Sequence, residues 1–463
     1  MNFATDTYSY FSGDLHNVAT DMIKRNGRPI IGLIFELWHL SGLSNISFYY
    51  FSSVSAIILL GISIWIYQEI LRKYNIKENT RILLSFAGIA NIFIVDYFMF
   101  VEKCGFMLAV LFNVIAVWCI EKFFTSRETK YFVFSLITMI LAIFTYQGTI
   151  GLFVLLSIPF AMRNADNIKK YFLKLGTIGV VYAVPVAITF LTFKFLLKST
   201  RLVENTNYIE SIKLVIKGIC SRGINTFYIL PSYLFLTITF IIFISVVFSS
   251  FAHKRNLRNV LNIFFIIITA CVIPTATILQ GSGYWVPRAV YPMASIAGVL
   301  AINLFVNNKE SQLDKLIKKG RGIVLVSVIV LLIAQFFSFN RLFIDKYKVN
   351  ALDQYRCQYI KNEISKYQES SGIEIKKIAF YKDSEPSLSQ YLNIINKYEL
   401  DSLRSSFYAS WSDINAINYY LHTNYVKINP VEEYKNKFTK RNWNGLSSEQ
   451  LEFKGDTLHL CVY

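Results

Sequence analysis

Long apolar runs alternate with short polar links over most of this chain. Most runs hold roughly 15 to 25 residues, enough for a helix to cross the ~30 Å hydrocarbon core of a bilayer. Ten membrane-spanning helices are therefore predicted, at residues 45–67, 82–101, 104–121, 131–145, 147–162, 175–193, 225–249, 260–279, 289–306 and 322–340. The alternative for the fourth and fifth runs is one long, broken helix over 131–162. The pattern predicts an all-α polytopic membrane domain over residues 45–340.

A polar segment, residues 1–44, precedes the first run. On a helical projection, the stretch from Asp14 to Arg28 gathers its apolar side chains on one side and charged side chains on a neighbouring stripe. The apolar group is Leu15, Val18, Ala19 and Met22, and the charged group is Asp14, Asp21 and Arg25. Such a helix lies in the membrane interface with its polar stripe at headgroup depth. Residues 1–44 are predicted to be an outer catalytic loop with an interfacial helix.

The composition changes after residue 340, where Lys, Glu, Ser, Asn and Tyr dominate and no run is long enough to span a membrane. Periodicity predicts helices over 349–370, 387–397 and 413–422. Alternation predicts strands at IKKIAFY and LHLCVY. Residues 341–463 are therefore predicted to form a small soluble α/β or α+β domain.

Composition and charge also predict how the chain is oriented in the membrane. The chain is 54% apolar and its mean hydropathy is +0.41, values typical of polytopic membrane proteins. Five links on one side are rich in Lys and Arg, whereas the alternate short links carry only Lys103 and Arg288. The positive-inside rule puts the basic links in the cytoplasm, and the N-terminal segment, loop 194–224 and the C-terminal domain outside. Because topology and anionic lipid explain the net charge of +17, no nucleic-acid partner is expected.

The chain shows no cleavable secretory signal, and its first predicted span begins only near residue 45. An outward N-terminus then has two explanations, a further helix upstream of this sequence or translocation of a short tail. The further upstream helix is the favoured explanation. The six cysteines have no metal or redox spacing, and Cys357 and Cys461 in the outer domain either pair or stay free thiols.

The acids of the N-terminal segment are the first candidates for chemistry. Of Asp6 and Asp14, Asp6 lies in a loop just before the interfacial helix, where a carboxylate suits a general base that takes a proton from an acceptor hydroxyl as it attacks a sugar carbon. The alternative is that both are solvated loop and cap residues. Loop 194–224 repeats apolar residues at helical spacing, which predicts a second interfacial helix unless the loop is a solvated linker.

Other polar side chains occur in or beside the apolar runs. Arg288, in GSGYWVPR, either grips a lipid phosphate with its forked guanidinium or snorkels to the interface. Asp96 lies within an apolar run, where ionisable groups tend to face a cavity. Glu102 and Lys103 fit either a cavity or a turn exposed to water, and Gln147 fits either a sugar contact or a helix cap.

Several short motifs together resemble the glucosyl transferase GtrII family. In chain order they are TDTYSYF, NGRP, FVEKCGFMLAVLF, TYQGTIGLF, WVPRAVYP and SSFYASWSD, so the resemblance covers most of the chain. Members of that family are bacterial membrane glycosyltransferases of the GT-C type, which move a sugar from a polyprenyl-phosphate carrier to a surface polysaccharide. The resemblance implies a catalytic carboxylate at Asp6, with Gly27 and Arg28 closing the acidic motif.

The later polar motifs of the family match Glu102, Gln147 and Arg288. With Asp14 and Arg28, these are the expected substrate-binding residues. The chain departs from the family in lacking a helix before the acidic motif and in having Thr5-Asp6 where many members have two adjacent acids. Because no His or acidic cluster has ligand spacing, neither a metal nor another cofactor is expected.

The expected function is transfer of a hexose, which the family's name suggests is glucose, with inversion. The donor is an undecaprenyl-phosphate-type sugar, and the acceptor is a surface glycan such as an O-antigen or a teichoic acid. The expected location is the bacterial cytoplasmic membrane, with the C-terminal domain extracytoplasmic. The alternative is a transporter or flippase of lipid-linked saccharides, although no clear internal repeat favours it. A scaffold for envelope assembly would leave Asp6 and Arg288 without a role.

Overall fold

The computed structural model describes residues 3–4, 7–163, 165–197, 207–251, 256–272, 285–307, 315–383, 394, 397–407, 409–439, 441, 443 and 446–462. The chain divides into two compact units. The helical unit comprises Leu15–Phe98 and Glu102–Phe339. The α/β unit comprises Met1–Asp14, Met99–Val101 and Asn340–Tyr463.

Helices dominate the described residues. In chain order they are α1 (Thr7–Ser12), α2 (Leu15–Lys24), α3 (Pro29–Leu40), α4 (Asn45–Arg72), α5 (Glu78–Ile89), α6 (Ile94–Phe98), α7 (Lys103–Ser126), α8 (Thr129–Thr145), α9 (Gly151–Arg163), α10 (Ile168–Leu191), α11 (Tyr208–Gly218), α12 (Leu234–Phe251), α13 (Asn256–Val272), α14 (Ile296–Asn307), α15 (Lys315–Ser371), α16 (Asp413–Leu421) and α17 (Glu432–Phe438). The strands are β1 (Lys377–Tyr381), β2 (Val426–Ile428), β3 (Leu451–Lys454) and β4 (Thr457–Cys461). Helix α15 contributes residues to both units, which divide at Asn340.

Four helices of the described chain are long and apolar enough to cross a membrane. They are α4, α7, α10 and α15, and six shorter apolar helices accompany them. A membrane-embedded helical protein is therefore confirmed as the broad class. The shorter helix α3 has no counterpart among the ten predicted runs. Its 12 residues include Glu36 and His39, which interrupt the apolar pattern that identifies a span.

The helical unit contains two breaks, one within a predicted run and one between two predicted runs. The run 82–101 is wrong as one helix, because α5 ends at Ile89 and α6 begins only at Ile94. Asn91 occupies the break and donates to the Tyr291 carbonyl (3.0 Å) and to Ser295 Oγ (2.8 Å), while its Oδ1 accepts from Phe93 N. The break between the fourth and fifth runs lies at Tyr146, which has extended backbone (φ −158°) between α8 and a 3₁₀ turn, Gln147–Thr149.

Small residues and buried amides hold the helical unit together, as is typical where lipid weakens the hydrophobic drive. A Cβ on Gly298 of α14 would lie 2.3 Å from the Ala87 carbonyl oxygen of α5, so these two backbones meet directly. On α13, Asn262 accepts from Tyr171 Oη at 2.9 Å and donates to Asn303 Oδ1 of α14. Asn307 donates to the same Asn303 oxygen at 2.8 Å, so the three amides form one connected network.

The predicted interfacial helices form as helices. In α2, Leu15, Ala19 and Met22 are buried and Val18 is half-buried, which confirms the apolar side of the projection. Loop 194–224 contains α11, whose first turn is capped by Asn207 Oδ1 accepting from Glu210 N at 3.2 Å.

The α/β unit is built on a four-stranded mixed sheet with strand order β2-β1-β4-β3. Strand β1 is parallel to both β2 and β4, and β3 pairs antiparallel with β4. Strands β1 and β4 confirm the predictions at IKKIAFY and LHLCVY, and α16 confirms the predicted helix at 413–422. The predicted helix 387–397 lies almost wholly outside the described residues.

Each face of this sheet has its own apolar core. Ile378, Leu458 and Leu460 belong to one core and Ala379 and Cys461 to the other, as the period of two along a strand requires. Cys357 lies in the first core. Both cysteines are buried free thiols, so the pairing alternative is wrong. The physical reason is that they pack on opposite faces of the sheet.

A buried histidine makes the stability of the sheet depend on pH. Tyr381 Oη accepts from Val431 N at 2.8 Å and lies 2.8 Å from His459 Nδ1. The phenol donates to Nδ1 when that nitrogen carries no proton. Burial, reinforced by Lys454, lowers the pKa of His459 below its usual value. Below about pH 6.5, His459 therefore binds a proton more readily in the unfolded chain than in the folded protein. The free energy of unfolding falls as the pH drops from there toward the folded pKa.

We expect amide exchange in β4, corrected for its intrinsic pH dependence, to accelerate between pH 7.5 and pH 5.5 in the full-length protein. His459→Asn should flatten this dependence, because an amide oxygen replaces Nδ1 as acceptor without titrating. His422→Asn is the matched control, since His422 is exposed at the end of α16 and asparagine tolerates its positive φ of 55°. Equal protection at both pH values in the wild-type protein would contradict the assignment.

Candidate functional site

The link between α2 and α3 positions Arg28. Helix α2 ends with Arg28 N donating to the Met22 carbonyl at 2.8 Å, and Gly27 between them has φ +62°. The positive φ favours glycine, and a Cβ on Gly27 would lie 2.4 Å from Phe193 Cζ, so the Phe193 ring would have to shift to admit a side chain. Pro29 then begins α3. The Asn-Gly-Arg-Pro sequence thus ends one helix, starts the next and fixes the position of the arginine.

The Arg28 side chain is buried among aromatic rings. Only 8% of the residue is exposed, and its Cζ lies 4.5 Å from the Tyr146 ring centroid and 6.0 Å from that of Phe106. Its Nη1 is 3.8 Å from Glu102 Oε1, which is an ion pair beyond hydrogen-bond length. Arg28 Nε is buried and donates to no group in the part of the chain that the structure describes. One donor of the buried guanidinium is therefore left unsatisfied by the described residues.

Gln147 holds the α8–α9 break against the α2–α3 link. Its Nε2 donates to the Gly27 carbonyl at 2.6 Å. The next residue, Gly148, has no room for a side chain, because a Cβ there would lie 2.4 Å from the Arg288 carbonyl oxygen. Gln147 therefore positions the backbone that carries Arg28.

Arg288 is paired with an acid inside the helical unit. Its backbone N and its Nη1 both donate to Asp96 Oδ2, each at 3.2 Å. Asp96 is fully buried in α6, and the Arg288 side chain is 11% exposed. The snorkelling alternative for Arg288 is therefore wrong, because a buried carboxylate holds the guanidinium and its charge is compensated there.

An aromatic cluster links the two ion pairs. The Tyr97 ring centroid lies 4.8 Å from that of Phe106, 5.6 Å from that of Tyr146 and 5.0 Å from that of Tyr291. Tyr97 Oη also donates to the Arg288 carbonyl at 2.9 Å. Arg28–Glu102 on one side and Asp96–Arg288 on the other therefore share one aromatic centre, which we call the arginine cluster.

Glu102 and Lys103 are both buried, so the alternative of a turn exposed to water is wrong for them. Lys103 Nζ donates to Ser53 Oγ at 2.9 Å and lies 3.8 Å from the Tyr49 ring centroid on α4. The neighbouring Cys104 N donates to Ser52 Oγ at 3.1 Å. The start of α7 is thus anchored to α4 by its lysine and faces Arg28 with its glutamate.

The structure brings together four of the six predicted site residues: Arg28, Glu102, Gln147 and Arg288. Asp14 is exposed and belongs to the α/β unit. Asp6 lies outside the described residues. Sequence reasoning missed the aromatic members, Tyr97, Tyr146 and Phe106. Their signal was present, since Tyr97 and Tyr146 adjoin the polar residues Asp96 and Gln147 that interrupt apolar runs.

The arrangement suits an anionic ligand better than a metal. Among the described residues, no group of three His, Cys, Asp or Glu side chains could hold a metal ion. A buried guanidinium with an unfilled donor instead favours phosphate or carboxylate oxygens.

The fold and the arginine cluster together define a helical, membrane-embedded protein with a buried centre of charged and aromatic side chains. Comparison of the chain with protein-family models, with curated proteins and with solved structures found no match.

Proposed function

We propose that the protein is a membrane glycosyltransferase that moves a hexose from a polyprenyl-phosphate carrier to a surface glycan. The single observation that carries the proposal is the buried Arg28 guanidinium, stacked on Tyr146, with Nε unfilled. The resemblance of the chain's short motifs to the GtrII family supplies the reaction class. Arg28 lies in one of those motifs, NGRP.

Arg28 binds the phosphate of the lipid carrier in this proposal. As the sugar leaves, negative charge develops on the bridging phosphate oxygen. A guanidinium already buried and oriented stabilises that charge without reorganising. Glu102 supports the orientation at 3.8 Å without filling the donors as a close bidentate partner would. The charge of Arg288 is already compensated by Asp96. Arg288 is therefore a less suitable phosphate ligand than Arg28 and contributes mainly to the shape of the site.

Asp6 is the proposed general base. Its carboxylate takes the proton of an acceptor hydroxyl as that oxygen bonds to the anomeric carbon. The bond from this carbon to the phosphate oxygen breaks, and polyprenyl phosphate leaves with the electron pair. A single displacement of this kind inverts the anomeric configuration. Asp14, the other outer acid of this segment, is proposed to bind substrate near the headgroups.

The proposed location is a bacterial cytoplasmic membrane crossed by ten spans. The five basic links face the cytoplasm because positive residues are retained there. Residues 1–44, loop 194–224 and residues 341–463 then lie outside, where a surface glycan is accessible. The proposed acceptor is such a glycan, for example an O-antigen or a teichoic acid.

Transfer of radiolabelled hexose from synthetic polyprenyl-phosphate-hexose to a glycan acceptor, with purified protein in detergent, tests the proposal. Protein-dependent transfer with at least one common hexose is expected. Absence of transfer, together with protein-dependent movement of lipid-linked sugar across liposomes, would replace the proposal with a flippase.

Arg28→Gln is expected to lower kcat/KM for the lipid donor by at least about tenfold, because charge-assisted hydrogen bonds contribute roughly 1.5–3 kcal/mol. Arg25→Gln is the matched control, since Arg25 is in the same segment but 69% of its side chain is exposed. The control should stay within about twofold of wild type. Equal loss in both variants would remove the phosphate role of Arg28.

A further inference from the structure

The α/β unit contains a pocket of about 330 Å³. This volume is at the lower end of the roughly 300–1,000 Å³ range of ligand pockets, so it suits one or two sugar-sized rings. Helices α15 and α16 supply most of its lining. Four lining side chains are aromatic: Phe3, Tyr347, Tyr419 and Tyr420.

Hydrogen bonds fix the inner wall of the pocket. Asn350 Oδ1 accepts from Phe3 N at 2.9 Å, and Asn350 Nδ2 donates to the Phe3 carbonyl at 3.1 Å. The hydroxyls of Tyr8 and Tyr420 are 2.6 Å apart. The Phe3 and Tyr419 rings meet edge to face at 5.8 Å. The wall is therefore formed before any ligand enters, which lowers the entropy cost of binding.

The outer wall offers groups that protein contacts do not occupy. Tyr347 is 59% exposed, and Gln354, seven residues later on α15, lies on the same helix face. Among the described residues, Gln354 makes no side-chain hydrogen bond. Exposed His422 completes this wall from the end of α16. A ring seated here meets an aromatic face and finds an amide and an imidazole for its hydroxyls.

The charge of the lining narrows the ligand class. No Lys, Arg, Asp or Glu is among the described residues that line the pocket. A phosphate would meet no cation there, and a cation would meet no carboxylate. Aromatic faces beside amide and imidazole groups instead match a neutral sugar, which presents both C–H faces and hydroxyl edges.

We propose that this pocket binds a neutral sugar ring of the acceptor glycan. The sugar preference follows from the lining, whereas the acceptor assignment rests on the proposed glycosyltransferase function. The donor sugar is the less suitable occupant, because its anomeric oxygen carries a phosphate and the pocket offers no cation to receive it.

Saturation-transfer NMR on the full-length protein in nanodiscs tests the binding. The probes are methyl glucoside, methyl galactoside and methyl N-acetylglucosaminide, with ribitol 5-phosphate as the anionic contrast. At least one neutral probe should receive saturation at its ring C–H protons. Tyr347→Ala and Gln354→Ala should each weaken this about fivefold. Tyr355→Ala is the control, since Tyr355 is 71% exposed on the same helix but outside the pocket.

Two results would overturn the sugar pocket: no saturation of any neutral probe by wild-type protein, or equal saturation by wild type and Tyr347→Ala. Steady-state transfer kinetics then test the acceptor assignment. Tyr347→Ala should raise KM for the acceptor about fivefold and leave KM for the donor unchanged. A rise confined to the donor would assign the pocket to the donor sugar. Saturation without any transfer activity would retain the sugar pocket and reject the proposed enzyme.

Discussion

Asp6→Asn is expected to lower kcat for sugar transfer by about 10²–10⁴-fold, the usual contribution of a positioned general base. The amide cannot take the acceptor proton, whereas it keeps the size and much of the polarity of the carboxyl. KM for the lipid donor should change little, because Arg28 and not Asp6 is proposed to bind the donor phosphate. The measurement is turnover of radiolabelled polyprenyl-phosphate-hexose at saturating acceptor.

Two companion variants sharpen this test. Asp21→Asn removes an acid whose side chain is 56% exposed on α2, and it should transfer sugar at the wild-type rate. Asp6→Glu keeps a carboxylate on a longer stem and should retain part of the activity. Turnover by Asp6→Asn within about threefold of wild type would remove the catalytic assignment.

Breaking the Asp96–Arg288 pair is expected to destabilise the protein by about 3–5 kcal/mol, the usual effect of leaving one buried charge without its partner. Arg288→Gln leaves the Asp96 carboxylate, which is fully buried, without its guanidinium. Asp96→Asn leaves the arginine charge in the same interior. Detergent or thermal unfolding of purified protein, followed by loss of near-UV circular dichroism, measures each change.

A double-mutant cycle isolates the pair. Asp96→Asn with Arg288→Gln should cost less than the sum of the single variants, because neither charge is then left alone. The control cycle is Asp21→Asn with Arg25→Gln, an exposed pair 3.7 Å apart that should contribute less than about 1 kcal/mol. Additive losses at Asp96 and Arg288 would show that the two charges do not stabilise each other.

The type of each secondary-structure element, helix or strand, followed from local hydrophobic patterns in the sequence. The apolar runs predicted the helical class, and alternation predicted β1 and β4. Helices and strands bury residues at fixed spacings, so apolar residues recur at those spacings along the sequence. The boundary at Tyr146 was predicted between runs 131–145 and 147–162, whereas the break at Asn91 was not. A single asparagine in an apolar run does not predict a helix end. Only the hydrogen bonds from Asn91 to Tyr291 and Ser295 show why the helix ends there.

The site was predictable as a set of positions but not as a set of partners. Glu102, Gln147 and Arg288 stood out because polar side chains in or beside apolar runs are costly to bury without a role, whereas Arg28 was singled out by the resemblance to the GtrII family. Pairing was not predictable, since Arg288 finds Asp96 192 residues away and Gln147 finds Gly27 120 residues away. No local period carries information over such separations.

The sequence alone therefore determined the class of the protein: a helical membrane protein whose polar residues gather beside apolar runs. Hydropathy and charge act locally along the chain, so they can be read without a fold. Only the tertiary structure decided that Arg288 is held by Asp96, while Arg28 stacks on Tyr146 with Nε unfilled. The reason is physical, because whether a buried charge is compensated depends on which side chains meet it in space.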